Sequence, residues 1–191
     1  MIKIQKTVDE VISDGLTCEI IPNLNTRHLY PAYVRYFSNI NEINKDNLII
    51  GFGTSCSLMP TIGDIRNDNF VQCLKVLNKV KNGLLPTDSD WLELSSFTNN
   101  SVVGASKLLH FVNPSLIPIF DSRVYKYLTN KKNIPTIIKQ IKFLQEYINF
   151  CYQITQGLNF NKVHQRFNKM VGYDLTPFRV CEFIMYIKGG K

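Results

Sequence analysis

Apolar residues recur at three- and four-residue spacing along most of this chain, so helices dominate the expectation. Lys6 to Ile12 reads as a short helix closed by Asp14-Gly15. Thr26 is placed to cap a second helix reaching about Ile43, with Leu29, Tyr33, Tyr36, Phe37 and Ile40 on one face. Pro31 fits there only in the first turns, where its missing N–H costs nothing. Asn44 to Cys56 reads as a buried helix despite two glycines. Asn69 to Lys81 repeats Phe70, Cys73, Leu74, Leu77 and Val80 at helical spacing, and Asn82-Gly83 stops it. Asp88 then stands as an N-cap for Ser89 to Phe97.

Downstream, Val103 to Val112 has the pattern of a helix broken by Asn113-Pro114. A short apolar run, Ser115 to Phe120, leads to Asp121, which by type is an N-cap for the helix carrying Val124, Tyr127 and Leu128. Ile134 to Gln156 is a long amphipathic pattern with Pro135 in its first turn, and Phe160 to Met170 ends at Gly172. Thr176-Pro177 opens a last helix to about Ile187. Strand signals are confined to Cys18 to Ile21. The expectation is a single all-α domain over residues 1–191, with any subdomain boundary near 83–87.

Composition narrows the class. A hydrophobic fraction of 45% against 19% charged residues fits a globular protein and excludes a disordered one. No apolar run approaches the roughly 18 residues of a membrane helix, and the first residues lack the apolar core of a signal peptide. A cytoplasmic, monomeric protein is expected. Cys18, Cys56, Cys73, Cys151 and Cys181 are odd in number and form no C-x-x-C pair, which predicts reduced thiols and no zinc site. No metal or cofactor is expected. Gly51-Phe52-Gly53-Thr54-Ser55-Cys56 lacks the lysine of a phosphate loop, and Asp88 with Asp90 fits a cap better than a metal pair.

Charge distribution changes the picture more. Between Ser122 and Lys169 stand nine basic residues and one acid, Glu146, so this segment carries +8 of a chain whose net charge is +7. A block so one-sided repels itself when folded, and a polyanion relieves that repulsion. DNA is the expected partner, with Arg123, Lys126, Lys131, Lys132, His164 and Arg166 in its footprint. Thr26 to Tyr36 interleaves rings with cations, and Tyr33, Arg35 and Tyr36 are candidates for a base pocket or for an aromatic core face. His110 is a candidate for that pocket or for a satisfied core histidine.

Ala105-Ser106-Lys107-Leu108-Leu109-His110-Phe111 and Pro118-Ile119-Phe120-Asp121-Ser122-Arg123-Val124 together form an A-S-K-x-L-H-F…P-I-x-D-S-R-V pattern. It resembles the helix-hairpin-helix DNA glycosylase superfamily, and most closely bacterial proteins similar to 8-oxoguanine glycosylases. Leu175 to Arg179 resembles the closing helix of that family. The resemblance covers about 25 residues closely and leaves the first hundred unaligned. It implies that Asp121 sits over a flipped nucleotide and stabilises an oxocarbenium-like sugar. It also implies phosphate contacts at Val103, Gly104, Ser106, Lys107 and Ser122. The family's backbone-cutting members use a lysine about eighteen residues before this Asp. That position falls near Gly104, and Lys107 stands fourteen before Asp121, so Lys107 is better suited to a phosphate than to a Schiff base. The implied activity is monofunctional base excision. Two alternatives stand beside it: a nucleic-acid-binding module, for instance in phage defence, with Asp121 only a cap, and a protein adaptor with a basic face.

Overall fold

The computed structural model describes residues 2–20, 25–57, 65 and 69–190. Among the described residues the chain is all-α. Ten α-helices follow in order: α1 Val8–Thr17, α2 Tyr30–Ser38, α3 Lys45–Ser57, α4 Phe70–Lys81, α5 Asp88–Phe97, α6 Val102–Val112, α7 Ser122–Thr129, α8 Ile137–Thr155, α9 Phe160–Val171 and α10 Pro177–Gly189. A π-helical turn, Asn25–Leu29, runs directly into α2. One isolated antiparallel bridge joins Ile65 to Thr98. None of these helices is long and apolar enough to cross a membrane.

Several boundaries follow local chemistry that the periodicity missed. α1 begins two residues later than expected, because Thr7 and Glu10 form a capping box, Thr7 N–H donating to Glu10 Oε2 at 2.7 Å and Glu10 N–H to Thr7 Oγ1 at 3.2 Å. Asp14-Gly15 does not end it. Gly15 lies inside the helix, where an added Cβ would stand 2.7 Å from Val163 of α9. Glycine there permits close approach, not a turn. Gly51 plays the same part in α3, since a Cβ would meet Leu108 and Phe37 at 2.6 Å. The cap of α5 is Thr87, not Asp88; it closes a capping box with Asp90. α2 ends at Ser38, short of Ile43, and the expected Thr26 cap rests on a side chain outside the described set. Residues 18–20 form no strand, and Ile21 lies outside the described residues.

One hydrophobic core runs through the molecule and includes Leu77 and Val80 before residues 83–87 and Trp91 and Leu94 after them. α6 lies at its centre, with every residue from Gly104 to Val112 buried. It packs against α2, α3, α4, α5 and α8. α10 is nearly as enclosed, and it packs most extensively on α7. A Cβ on Gly189 would overlap the backbone carbonyl of Arg123, so only glycine lets α10 close on α7.

Candidate functional site

The link from α6 to α7 lacks regular secondary structure, yet its residues 117–120 are buried, so side chains must satisfy its backbone. Ser106 accepts from Phe120 N–H at 3.1 Å. Tyr147 donates to Ile119 O at 3.1 Å. His110 Nδ1 meets Ile117 O at 2.6 Å, and Nε2 meets the hydroxyl of Tyr30 at 2.8 Å. A carbonyl can only accept, so Nδ1 carries the proton and Nε2 accepts from Tyr30. Burial, reinforced by Arg179, pushes the His110 pKa down to about 3 and keeps the ring neutral. Three polar side chains thus hold the link in one conformation and deliver its last residue, Asp121, to the start of α7.

Asp121 caps that helix: Val124 N–H donates to Oδ1 at 2.9 Å. Its carboxylate is half-buried at the positive end of the α7 dipole. Two other charges respond to it. Lys107 of α6 is only 8% exposed. Burial lowers its pKa, and the carboxylates of Asp121 and Glu182 pull it back up. Glu182 of α10 is 2% exposed and paired with Arg179 one helical turn earlier. Burial pushes the Glu182 pKa up to about 7; Asp121 adds to the rise, while Arg179 and Lys107 oppose it. Desolvation therefore outweighs the ion pair. The Arg179 guanidinium packs 3.9 Å from the Phe183 ring centre and 4.6 Å from that of Tyr30, and its Nε is buried without a hydrogen-bond partner.

Two cations and two carboxylates are thereby brought together where α6, α7 and α10 meet. Perturbed groups in so apolar a setting mark either a functional site or a costly structural network. Arg179 and Glu182 were not candidates by sequence. Their signal was there: a lone acid in the apolar run Val180 to Ile187, three residues after an arginine.

Other candidates are placed differently from one another. The Gly104 N–H donates to Ser101 Oγ at 3.0 Å, and the residue packs on Thr98, so this amide is already committed. Ser106 is fully buried and Lys107 nearly so, which makes neither an exposed phosphate contact. Val103 is half-buried. His110 belongs to the core, locked between Tyr30 and Ile117, and does not line a surface pocket. Tyr33 packs edge-on against Phe111 with its hydroxyl 3.2 Å from that of Ser57. Tyr36 packs on Phe37 and accepts from Asn47. Neither lines the cleft that Arg35 borders. Arg166 reaches back to α1, where it donates to Gly15 O at 3.3 Å and to Cys18 O; it caps that helix. His164 bonds Leu175 O at 2.7 Å and stacks on Phe160.

The exposed candidates are Arg35, Ser122, Arg123, Lys131 and Lys132. Arg123 covers the ring of Tyr186 at 4.5 Å. Lys126 and Lys132, with Lys6 and Lys188, border a cleft of about 370 Å³, where Lys188 is neutralised by Asp14 at 2.7 Å. All five cysteines are free. Burial raises the pKa of Cys18, Cys56, Cys73 and Cys151, which makes these thiols poor nucleophiles. Among the described residues no group of three or more His, Cys, Asp or Glu side chains could hold a metal ion. Comparison with protein families, with curated proteins and with solved structures finds no match to this chain.

Proposed function

We propose that this chain is a helix-hairpin-helix glycosylase-like protein that binds DNA and hydrolyses the N-glycosidic bond of a damaged or modified base. One observation carries the reading: Asp121 is fixed at the head of α7, half-exposed, with the Lys107 and Glu182 charges acting around it. Breaking an N-glycosidic bond leaves positive charge on the sugar while the base departs with the bonding electrons. A carboxylate already oriented by a helix cap stabilises that charge without reorganising. Water then adds to the sugar carbon and yields its proton to Asp121 or to solvent. Lys107 lies close enough to Asp121 for the two opposite charges to attract, and so acts as a positioning group. Its burial suits that role better than a phosphate contact. Arg123, Lys126, Lys131 and Lys132 supply the charge for the strand.

A second reading, a nucleic-acid-binding module in which Asp121 only caps α7, is favoured by the committed Gly104 amide and the buried Ser106. The two readings separate when the protein is incubated with duplexes carrying oxidised, alkylated and hypermodified bases and the supernatant is analysed by mass spectrometry. Release of one free base is expected. Retention of every base by protein that binds the duplexes supports the module and overturns the glycosylase.

A further inference from the structure

A second cleft, of about 490 Å³, opens between the π-turn with α2 on one side and the end of α9 on the other. Arg27, Arg35 and Lys169 border it, and Tyr173 forms part of its wall. Lys169 is distant in sequence from Arg27 and Arg35, and all three are exposed. Among the described residues none of the three forms an ion pair, in contrast to Lys6, Lys79, Lys188 and Arg179. Among the described residues no carboxylate lines the cleft. The adjacent Asp174 is engaged by Asn168, which donates to its Oδ1 at 3.2 Å. Three uncompensated cations around one concavity repel one another, and a bound anion removes that repulsion.

The wall adds a second requirement. Tyr173 stacks on Tyr30 with ring centres 6.4 Å apart and planes inclined by 25°. Tyr30 is itself buried and held by His110 and Arg179. The Tyr173 ring is therefore backed by packed structure and offers a rigid surface at little entropic cost. Guanidinium groups match phosphate oxygens in pairs, and an aromatic wall suits a planar ring. The volume lies within the range of small-ligand sites.

We propose that this cleft binds a nucleoside phosphate unit, its phosphate held by Arg27, Arg35 and Lys169 and its ring against Tyr173. The unit comes either from a free nucleotide or from a nucleic-acid strand. No step at Asp121 involves this cleft, so its occupancy is independent of base excision.

The test uses the full chain and two charge-reversed variants of equal net charge. Arg35→Glu with Lys169→Glu alters the cleft. Lys3→Glu with Lys75→Glu changes exposed lysines that do not line it. Each protein is titrated calorimetrically with ADP, and by fluorescence anisotropy with a labelled single strand of about 12 nucleotides. The cleft variant is expected to lose about tenfold or more in affinity for the cognate ligand, and for the strand to show a salt slope reduced by about 2. The Lys3/Lys75 variant should stay near wild type for ADP and lose less than the cleft variant for the strand. ADP binding identifies a free-nucleotide site; strand binding without ADP binding identifies a strand site. Tyr173→Leu should weaken the same ligand severalfold without changing its salt dependence. Failure of wild type to bind either ligand, or equal losses in both charge-reversed variants, overturns the proposal. Base release remains a separate assay, so either result stands without the other.

Discussion

The charges where α6, α7 and α10 meet and the charges of the α2–α9 cleft are held in opposite ways. Lys107, Arg179 and Glu182 are withdrawn from water, Asp121 is half-buried, and the four balance one another in sign. Arg27, Arg35 and Lys169 are exposed, and no carboxylate among the described residues balances them. A buried balanced set cannot recruit a polyanion, but it fixes the position of each member and makes the loss of any one costly. An exposed unbalanced set costs the fold little and gains most when a ligand arrives. The first arrangement suits positioning; the second suits capture.

Arg179→Met tests the buried side most severely. It leaves Glu182 enclosed without its cation, and denaturant unfolding should show a loss of about 3–5 kcal/mol. Adding Glu182→Gln should recover most of it. A loss below about 1 kcal/mol would mean that the pair is not buried as a unit. Arg35→Glu in the cleft should leave stability within about 0.5 kcal/mol of wild type, which sharpens the contrast.

Gly189→Ala should cost less, about 1–3 kcal/mol, because its Cβ enters the Arg123 carbonyl and pries α10 from α7. The same assay decides this; an unchanged midpoint would contradict the close contact.

The pH dependence is subtler, since two buried groups oppose each other. Folded Glu182 keeps its proton up to about pH 7, whereas the unfolded carboxyl releases it near 4.5. Its contribution is therefore complete below 4.5 and lost as pH rises through 7. Folded His110 stays neutral down to about pH 3, whereas the unfolded imidazole protonates below 6.5. That contribution is present above 6.5 and lost as pH falls. Between about 4.5 and 6.5 the two slopes nearly cancel, so wild-type stability should be close to flat. In Glu182→Gln only the His110 slope survives, and stability should rise by up to about 1.4 kcal/mol per pH unit. Parallel profiles for the two proteins, measured by urea unfolding across this range, would contradict the assignment.

Much of this architecture was legible in the sequence. Helical spacing located the helices, and capping chemistry gave several ends correctly: Asp121 before α7, Gly172 after α9 and Thr176-Pro177 at the head of α10. Gly15 and Gly51 misled or lowered expectation because a glycine that ends a helix and one that admits a neighbour look alike until the neighbour is known. The candidate site divided in the same way. Asp121 lay in a local motif, and its cap could be read from type and position. Glu182 acts through burial and through partners on other helices, which no local pattern encodes. The basic residues of 122–169 carried one signal in sequence and several roles in space: Arg166 closes α1 from 151 residues away, while Lys169 faces a cleft with Arg27.

Whether Asp121 does chemistry beyond capping α7 is decided by comparing wild type with Asp121→Asn for base release from modified duplex DNA under single-turnover conditions. Asparagine keeps a capping side chain, so stability should fall by at most about 1 kcal/mol. Release should fall by about a hundredfold or more while DNA affinity holds or rises. Equal release by the two proteins, at equal binding, would contradict it.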